Sequence, residues 1–189
     1  LSTRKLLIEN EEKLKKLFDV KLNSKDELYT SDKIIELSKD CDGILSAITD
    51  QFNKDLIEKL STSIKIIANF AVGFGNIDVN AAAKKNIVVT NTPEVLDDST
   101  ADISILLLLG ASRKVLEARR AAELQNWKWS ADFMLGKQMS NKRLGILGMG
   151  RIGRAVAKRA RGFNMEIHYH NRSQLSKDFE EGAIYHKTI

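Results

Sequence analysis

Glycines 148, 150 and 153 follow a short apolar run, Leu144-Gly-Ile-Leu147, and lead straight into a helix-forming stretch that reaches Arg161. Strand, Gly-x-Gly-x-x-Gly, helix is the order that grips a dinucleotide. Gly148 permits the tight turn off the strand, Gly150 lets backbone amides approach a pyrophosphate, and Gly153 lets the helix pack on the sheet. The helix N-terminus adds unpaired N–H groups and partial positive charge. A second strand, residues 165–170, ends at Asn171-Arg172-Ser173. This is where such a fold expects a carboxylate to hold the ribose 2′-hydroxyl of NAD. Here no carboxylate repels a 2′-phosphate, and a guanidinium and a hydroxyl can bind one. The pattern predicts a site for NADP in preference to NAD, with NAD still admissible.

Other reactive residue types lead nowhere comparable. His168 and His170 would place two imidazoles on one face of a strand, but no further ligand is in view, so no metal site is expected. Ser99, Ser112 and Ser173 lack a base partner for nucleophilic catalysis. Cys41 is the single cysteine, which excludes an internal disulfide and a cysteine-built metal cage and suits a reducing cytoplasm.

The elements that must position the glycine motif read as alternating helix and strand. Helices are expected from Asn10, with Leu14, Leu17 and Phe18 on one face, and from Ser31, with Ile34, Ile35 and Leu37 inward. Two more span 52–60 and 77–85, the latter closed by Asn86 as a left-handed cap. Strands are expected at 20–22, 43–47, 64–69 and 87–90, and residues 1–3 read as the end of another. About five strands, apolar on both faces, imply an open parallel sheet covered on both sides, flavodoxin-like in order. Thr92-Pro93 marks a break, and one long helix is expected over 98–124, followed by an irregular aromatic stretch to Gly136. The fold class is α/β.

The totals agree. The chain has 189 residues, 43% hydrophobic and 29% charged, with a net charge of +5. That is the make-up of a globular protein. Lys and Arg alternate with Glu and Asp on helix faces and form no aromatic-studded basic stripe, so a nucleic-acid partner is not expected. The longest apolar stretch, 105–111, is short of the ~20 residues of a membrane span, and no export signal opens the sequence. Neither a nucleic acid nor a membrane is an expected partner. The chain opens on Leu1 and stops after one βαβ unit, whereas a full dinucleotide domain needs two halves. It reads as a fragment, inactive alone.

Four segments together resemble the D-isomer-specific 2-hydroxyacid dehydrogenases, in their glyoxylate/hydroxypyruvate reductase branch: Ile66-Ile-Ala-Asn-Phe-Ala-Val-Gly-Phe-Gly-Asn-Ile-Asp78, Val89-Thr-Asn-Thr-Pro-Glu-Val-Leu96, Ser99-Thr-Ala-Asp102 and the glycine motif with its tip. The resemblance implies a flavodoxin-like substrate domain, residues 1–96, and the crossing helix and first part of a Rossmann cofactor domain, residues 97–189. It implies reduction of a small 2-oxo acid, glyoxylate or hydroxypyruvate, by hydride from NADPH. Val72 and Gly73 match the loop whose amides hold the substrate carboxylate, a nest of the kind that successive N–H groups make. Read without the resemblance, the same pair is the turn after a buried strand. Gly75 stands where the family often has Asp. Thr100 matches a position near the nicotinamide and is otherwise a first-turn hydroxyl. Arg151 and Ile152 match the pair whose amides meet the pyrophosphate, with the Arg151 side chain adding charge; Arg172 would grip the 2′-phosphate or stack over adenine. The family's catalytic arginine, glutamate and histidine fall beyond residue 189. Trp127, Trp129 and Phe133 match a dimer contact loosely, their spacing being tighter than the family's, and a homodimer is expected of the full-length protein. Competing readings are a non-catalytic, cofactor-sensing protein like the family's corepressors, or a dehydrogenase for phosphoglycerate, formate or phosphite.

Overall fold

Residues 1–125 and 127–189 are described by the computed structural model, and they divide into two units, Leu1–Val95 and Leu96–Ile189. The first unit runs α1 (Ile8–Leu17), α2 (Ser31–Leu37), β1 (Gly43–Ala47), α3 (Lys54–Lys59), β2 (Ile66–Phe70), α4 (Val79–Lys84) and β3 (Val88–Thr90). β2 pairs in parallel with β1 on one side and β3 on the other. Ser2 bridges Leu45 in parallel, and its N–H donates to the Lys21 carbonyl at 2.9 Å. The extended segments therefore lie in the order 21, 2, β1, β2, β3. This is the flavodoxin-like order expected, with the strand at 20–22 reduced to a single hydrogen bond.

Local chemistry sets the helix starts. Thr30, Asn53 and Asp78 are N-caps whose side chains accept from the N–H groups of Lys33, Leu56 and Ala81, satisfying donors that the first turn leaves over. Asn86 takes a left-handed φ of 58° after α4. The core is Ile34, Ile44, Phe52, Leu56, Ile57, Ile67, Ile77 and Ala82 with their neighbours. Two expectations fail. α1 buries none of its residues, Leu17 and Phe18 being exposed. Nor is the sheet equally covered: Ile67 and Asn69 are buried, whereas Ile66 and Phe70 of the same strand are exposed. Alternation along a strand sends neighbours to opposite faces, and here the described helices close over one face better than the other.

The second unit holds α5 (Asp97–Ser112), α6 (Val115–Leu124), β4 (Arg143–Leu147), α7 (Arg151–Arg161), β5 (Glu166–His170), α8 (Lys177–Glu180) and β6 (Ile184–Tyr185). β4, β5 and β6 form a parallel sheet in that order. Met149, Ala157, Ala160, Ile167 and Tyr169 make its core, with Leu144 and Ile146 packed against them. The single helix expected over 98–124 is two. Lys114 adopts φ 53°, and the Ser112 carbonyl accepts from Lys137 N–H at 2.7 Å. The returning loop captures the carbonyl, and Gly136 packs so closely on it that a Cβ there would lie 2.5 Å away. Helical periodicity could not reveal a loop arriving from 25 positions downstream.

Candidate functional site

β4 delivers the chain to Gly148, whose φ of +94° is open to glycine at little cost. Its N–H donates to the His170 carbonyl at 3.0 Å, tying the turn to the tip of β5. Gly153 is held by sterics: a Cβ there would lie 2.4 Å from the Gly148 carbonyl oxygen and 3.3 Å from Ile146 Cγ2. A Cβ at Gly150, in contrast, would enter open space. That space is where an approaching phosphate would need the backbone bare. Gly150 is also the N-cap of α7 and has no side chain with which to cap it, a helix start of the kind that offers first-turn amides to an incoming anion. The helix dipole adds to their pull on an anion.

Around this turn the second unit forms a cleft of about 500 Å³ lined by Gly148, Met149, Gly150, His170, Asn171, Arg172, Ser173 and Leu175. The structure thus gathers the glycine loop and the strand tip into one place. Arg172 and Ser173 are exposed there. Asn171 has a use that the sequence did not reveal. Its Oδ1 accepts from the Met149 N–H at 2.7 Å, so its side chain braces the glycine loop. The Arg151 guanidinium pairs with Asp97 at 3.3 Å, which draws its charge toward α5. Thr100 lies in the first turn of that helix, half-buried, its N–H donating to the Leu96 carbonyl at 2.9 Å.

Tyr169, absent from the sequence-level candidates, organises the segment that carries Arg172. Its buried hydroxyl donates to Glu180 at 2.7 Å and accepts from the Leu175 N–H at 3.1 Å. Burial, and next the hydrogen bond to Glu180, push its phenol above the ordinary range. The same bond, helped by Gln174, holds the Glu180 carboxyl below its own. The pair therefore stays phenol plus carboxylate across neutral pH. The residue could have been found from its place: a tyrosine at an inward β5 position needs a partner for its hydroxyl.

The imidazoles do share a face. His168 Nδ1 and His186 Nε2 are 2.8 Å apart, His168 Nε2 meets the Glu166 carboxylate, and His170 Nδ1 meets the His186 carbonyl at 2.9 Å. Among the described residues no group of three or more His, Cys, Asp or Glu side chains could hold a metal.

In the first unit, Val72 and Gly73 follow β2 after one intervening residue, Ala71. Val72 is half-buried and Gly73 exposed, and among the described residues neither N–H is bound by a carbonyl or side chain of the chain. A Cβ at Gly75 would meet nothing within 4 Å, so no steric demand explains glycine where the family often has Asp.

Residues 3–178 match the model of the D-isomer specific 2-hydroxyacid dehydrogenase catalytic domain. The chain belongs to that family. Among relatives in it, the chain is 47% identical over 160 residues to a glyoxylate reductase of Korarchaeum cryptofilum, covering 83% of this chain and 48% of that protein. The crystal structure of a glyoxylate reductase from Paecilomyes thermophila superposes with a TM-score of 0.82 at 34% identity, covering 97% of this chain and 58% of that one. So does an NADPH-dependent glyoxylate/hydroxypyruvate reductase from Sinorhizobium meliloti in complex with citrate, with a TM-score of 0.82 at 30% identity over 99% and 57% of the two chains. This 2-hydroxyacid dehydrogenase chain spans about half the length of the curated relatives it matches.

Proposed function

We propose that the chain is the reactant-binding portion of an oxidoreductase that reduces a small 2-oxo acid, glyoxylate or hydroxypyruvate, with NADPH. The observation that carries this reading is the cleft of the second unit. There, an uncapped helix start, a bare Gly150 and the Arg172-Ser173 tip line one space, and no carboxylate is among the lining residues. A dinucleotide fits these donors, with its pyrophosphate at the α7 N-terminus and its 2′-phosphate at Arg172 and Ser173. The relatives, glyoxylate reductases in the main and one of them NADPH-dependent, support the same substrate and cofactor.

When bound, the nicotinamide supplies the hydride. In this reading the Val72 and Gly73 amides hold the carboxylate, leaving the 2-carbonyl to accept that hydride and a proton. The proton donor and the group that polarises the carbonyl are proposed to lie past residue 189, in the family's later segment, as general acid and electrostatic partner. Thr100 is assigned to the nicotinamide end. Trp129, 82% exposed, and Trp127, 55% exposed and stacked on Phe133, are assigned to a homodimer contact of the full-length protein. Among the described residues no helix is long and apolar enough to cross a membrane; a cytoplasmic location is proposed from the single cysteine.

The deciding experiment is the rate of NADPH against NADH oxidation with glyoxylate, using the complete reading frame that contains residues 1–189. Turnover with a clear NADPH preference is expected. Cofactor binding without turnover on glyoxylate or hydroxypyruvate would sink the reductase assignment.

A further inference from the structure

A trans peptide group is planar, so its N–H points opposite to its own C=O. Fixing a carbonyl therefore aims the next residue's amide. Three consecutive carbonyls in the loop after β2 are fixed in this way. Ala71 O accepts from Thr92 N–H at 2.9 Å. Val72 O accepts from Asn91 Nδ2 at 2.7 Å, and Gly73 O from Asn69 Nδ2 at 2.9 Å. The amides aimed by these bonds are those of Val72, Gly73 and Phe74.

The two asparagines are themselves supported. Asn69 sits in β2, 2% exposed, where an amide must find partners or lose stability. Its Oδ1 accepts from Ser46 Oγ at 3.0 Å, and its Nδ2 also donates to Asn76 Oδ1 at 3.0 Å. Asn76, 7% exposed, donates in turn to the carbonyls of Ala47 at 3.2 Å and Asp50 at 2.9 Å. Every donor in the chain meets an oxygen, so turning the Asn69 amide over would set its oxygen against the Gly73 carbonyl. Asn91 immediately follows β3, next to Thr92, so the loop is held from β2 and from the end of its parallel neighbour at once.

We infer that Asn91 and Asn69 are positioning residues for carboxylate recognition: they touch no substrate, and they set the direction of the Gly73 and Phe74 amides by holding the Val72 and Gly73 carbonyls. The inference rests on the proposed role of Val72 and Gly73, and it adds the Phe74 amide as a third aimed donor. The substrate class follows from the geometry. Aimed amides with no side-chain charge of their own suit a compact anionic group, the carboxylate of the proposed 2-oxo acid.

The test uses the complete reading frame and two carbonyl substrates, glyoxylate and methylglyoxal, which lacks the carboxylate. Asn91→Ala is expected to lower kcat/KM for glyoxylate by about tenfold, mostly through KM, the scale of one hydrogen bond to a charged group. Turnover of methylglyoxal and the affinity for NADPH are expected to stay unchanged. Asn91→Ser, which keeps a donor on a shorter arm, should fall between the wild type and Asn91→Ala in glyoxylate preference. Equal losses on both substrates, an unchanged preference or a different order among the three proteins overturns the inference. Gly73→Pro separates this from failure of the underlying reading, because proline deletes the Gly73 N–H itself. If Gly73→Pro leaves glyoxylate turnover intact, the loop does not hold the carboxylate at all. If Gly73→Pro removes turnover while Asn91→Ala keeps the full preference, only the positioning role falls.

Discussion

In the proposed reading both units offer backbone N–H groups to an anion, and they do so by opposite constructions. The loop after β4 works by what it lacks. Gly148 turns with φ +94°, Gly150 leaves open space, and Gly153 has no Cβ to strike the Gly148 carbonyl. The loop after β2 works by what grips it. Side-chain amides from Asn91 and Asn69, and the Thr92 backbone, hold its carbonyls. Neither Gly73 nor Gly75 is required by sterics, since a Cβ at either would meet nothing within 4 Å. An anion site can therefore be made by removing atoms next to a helix start, or by pinning peptide planes from neighbouring strands. The glycines of the first construction lie within six residues of sequence, although Asn171 braces them from 22 positions away, whereas the carbonyls of the second are held from up to 21 positions away.

The sharpest break in this contrast is Gly153→Ala, with the largest expected effect. The added methyl meets a backbone oxygen at 2.4 Å, so helix and turn must separate at a cost of about 1–3 kcal/mol. Loss of NADPH binding, measured by nucleotide fluorescence, should accompany a lowered Tm. Gly73→Ala, its counterpart in the other loop, should keep the wild-type Tm, and equal destabilisation by the two would erase the distinction. Next in size, Arg172→Ala should raise the KM for NADPH roughly tenfold, through loss of a charge-assisted contact, with little change for NADH. Equal changes for both cofactors would remove the 2′-phosphate assignment. The smallest effect is expected of Tyr169→Phe. It frees Glu180 and the Leu175 N–H from one hydroxyl, about 1 kcal/mol, so NADPH should bind a few-fold more weakly. Kinetics with glyoxylate at saturating NADPH should not move, and a changed glyoxylate KM would show that the two loops do not act separately.

How much of this was legible in the chain follows the same division. The βαβ unit, the glycine spacing and the parallel sheets were readable because each depends on neighbours within a turn or a strand. So was Asn86, whose type alone favours its left-handed φ. The helix break at Lys114 was not, because the Lys137 N–H that takes the Ser112 carbonyl comes from a separate loop. Nor was the bracing use of Asn171, which depends on Met149 lying across the turn at 2.7 Å. The clamp on Val72 and Gly73 left one trace: an asparagine inside the apolar run Ile66-Ile-Ala-Asn69-Phe is a polar group that a buried strand accepts only with partners. The overestimate of burial for Leu17 and Phe18 has a different cause. Periodicity reports which side of α1 is apolar, not whether anything described lies against it.

The pinned carbonyls also leave a mark on the hydrogens opposite them. Amides in the middle of β2 are locked in a ladder and exchange with deuterium only on opening of the sheet. Those of Val72 and Gly73 sit a few residues away on peptide planes whose carbonyls are held, yet among the described residues they meet no acceptor. Fast deuterium uptake together with nanosecond rigidity in relaxation measurements is the expected pairing, one that mobile loops and buried strands do not show. A bound carboxylate would slow the uptake without altering the rigidity, because the order it needs is already built into the fold.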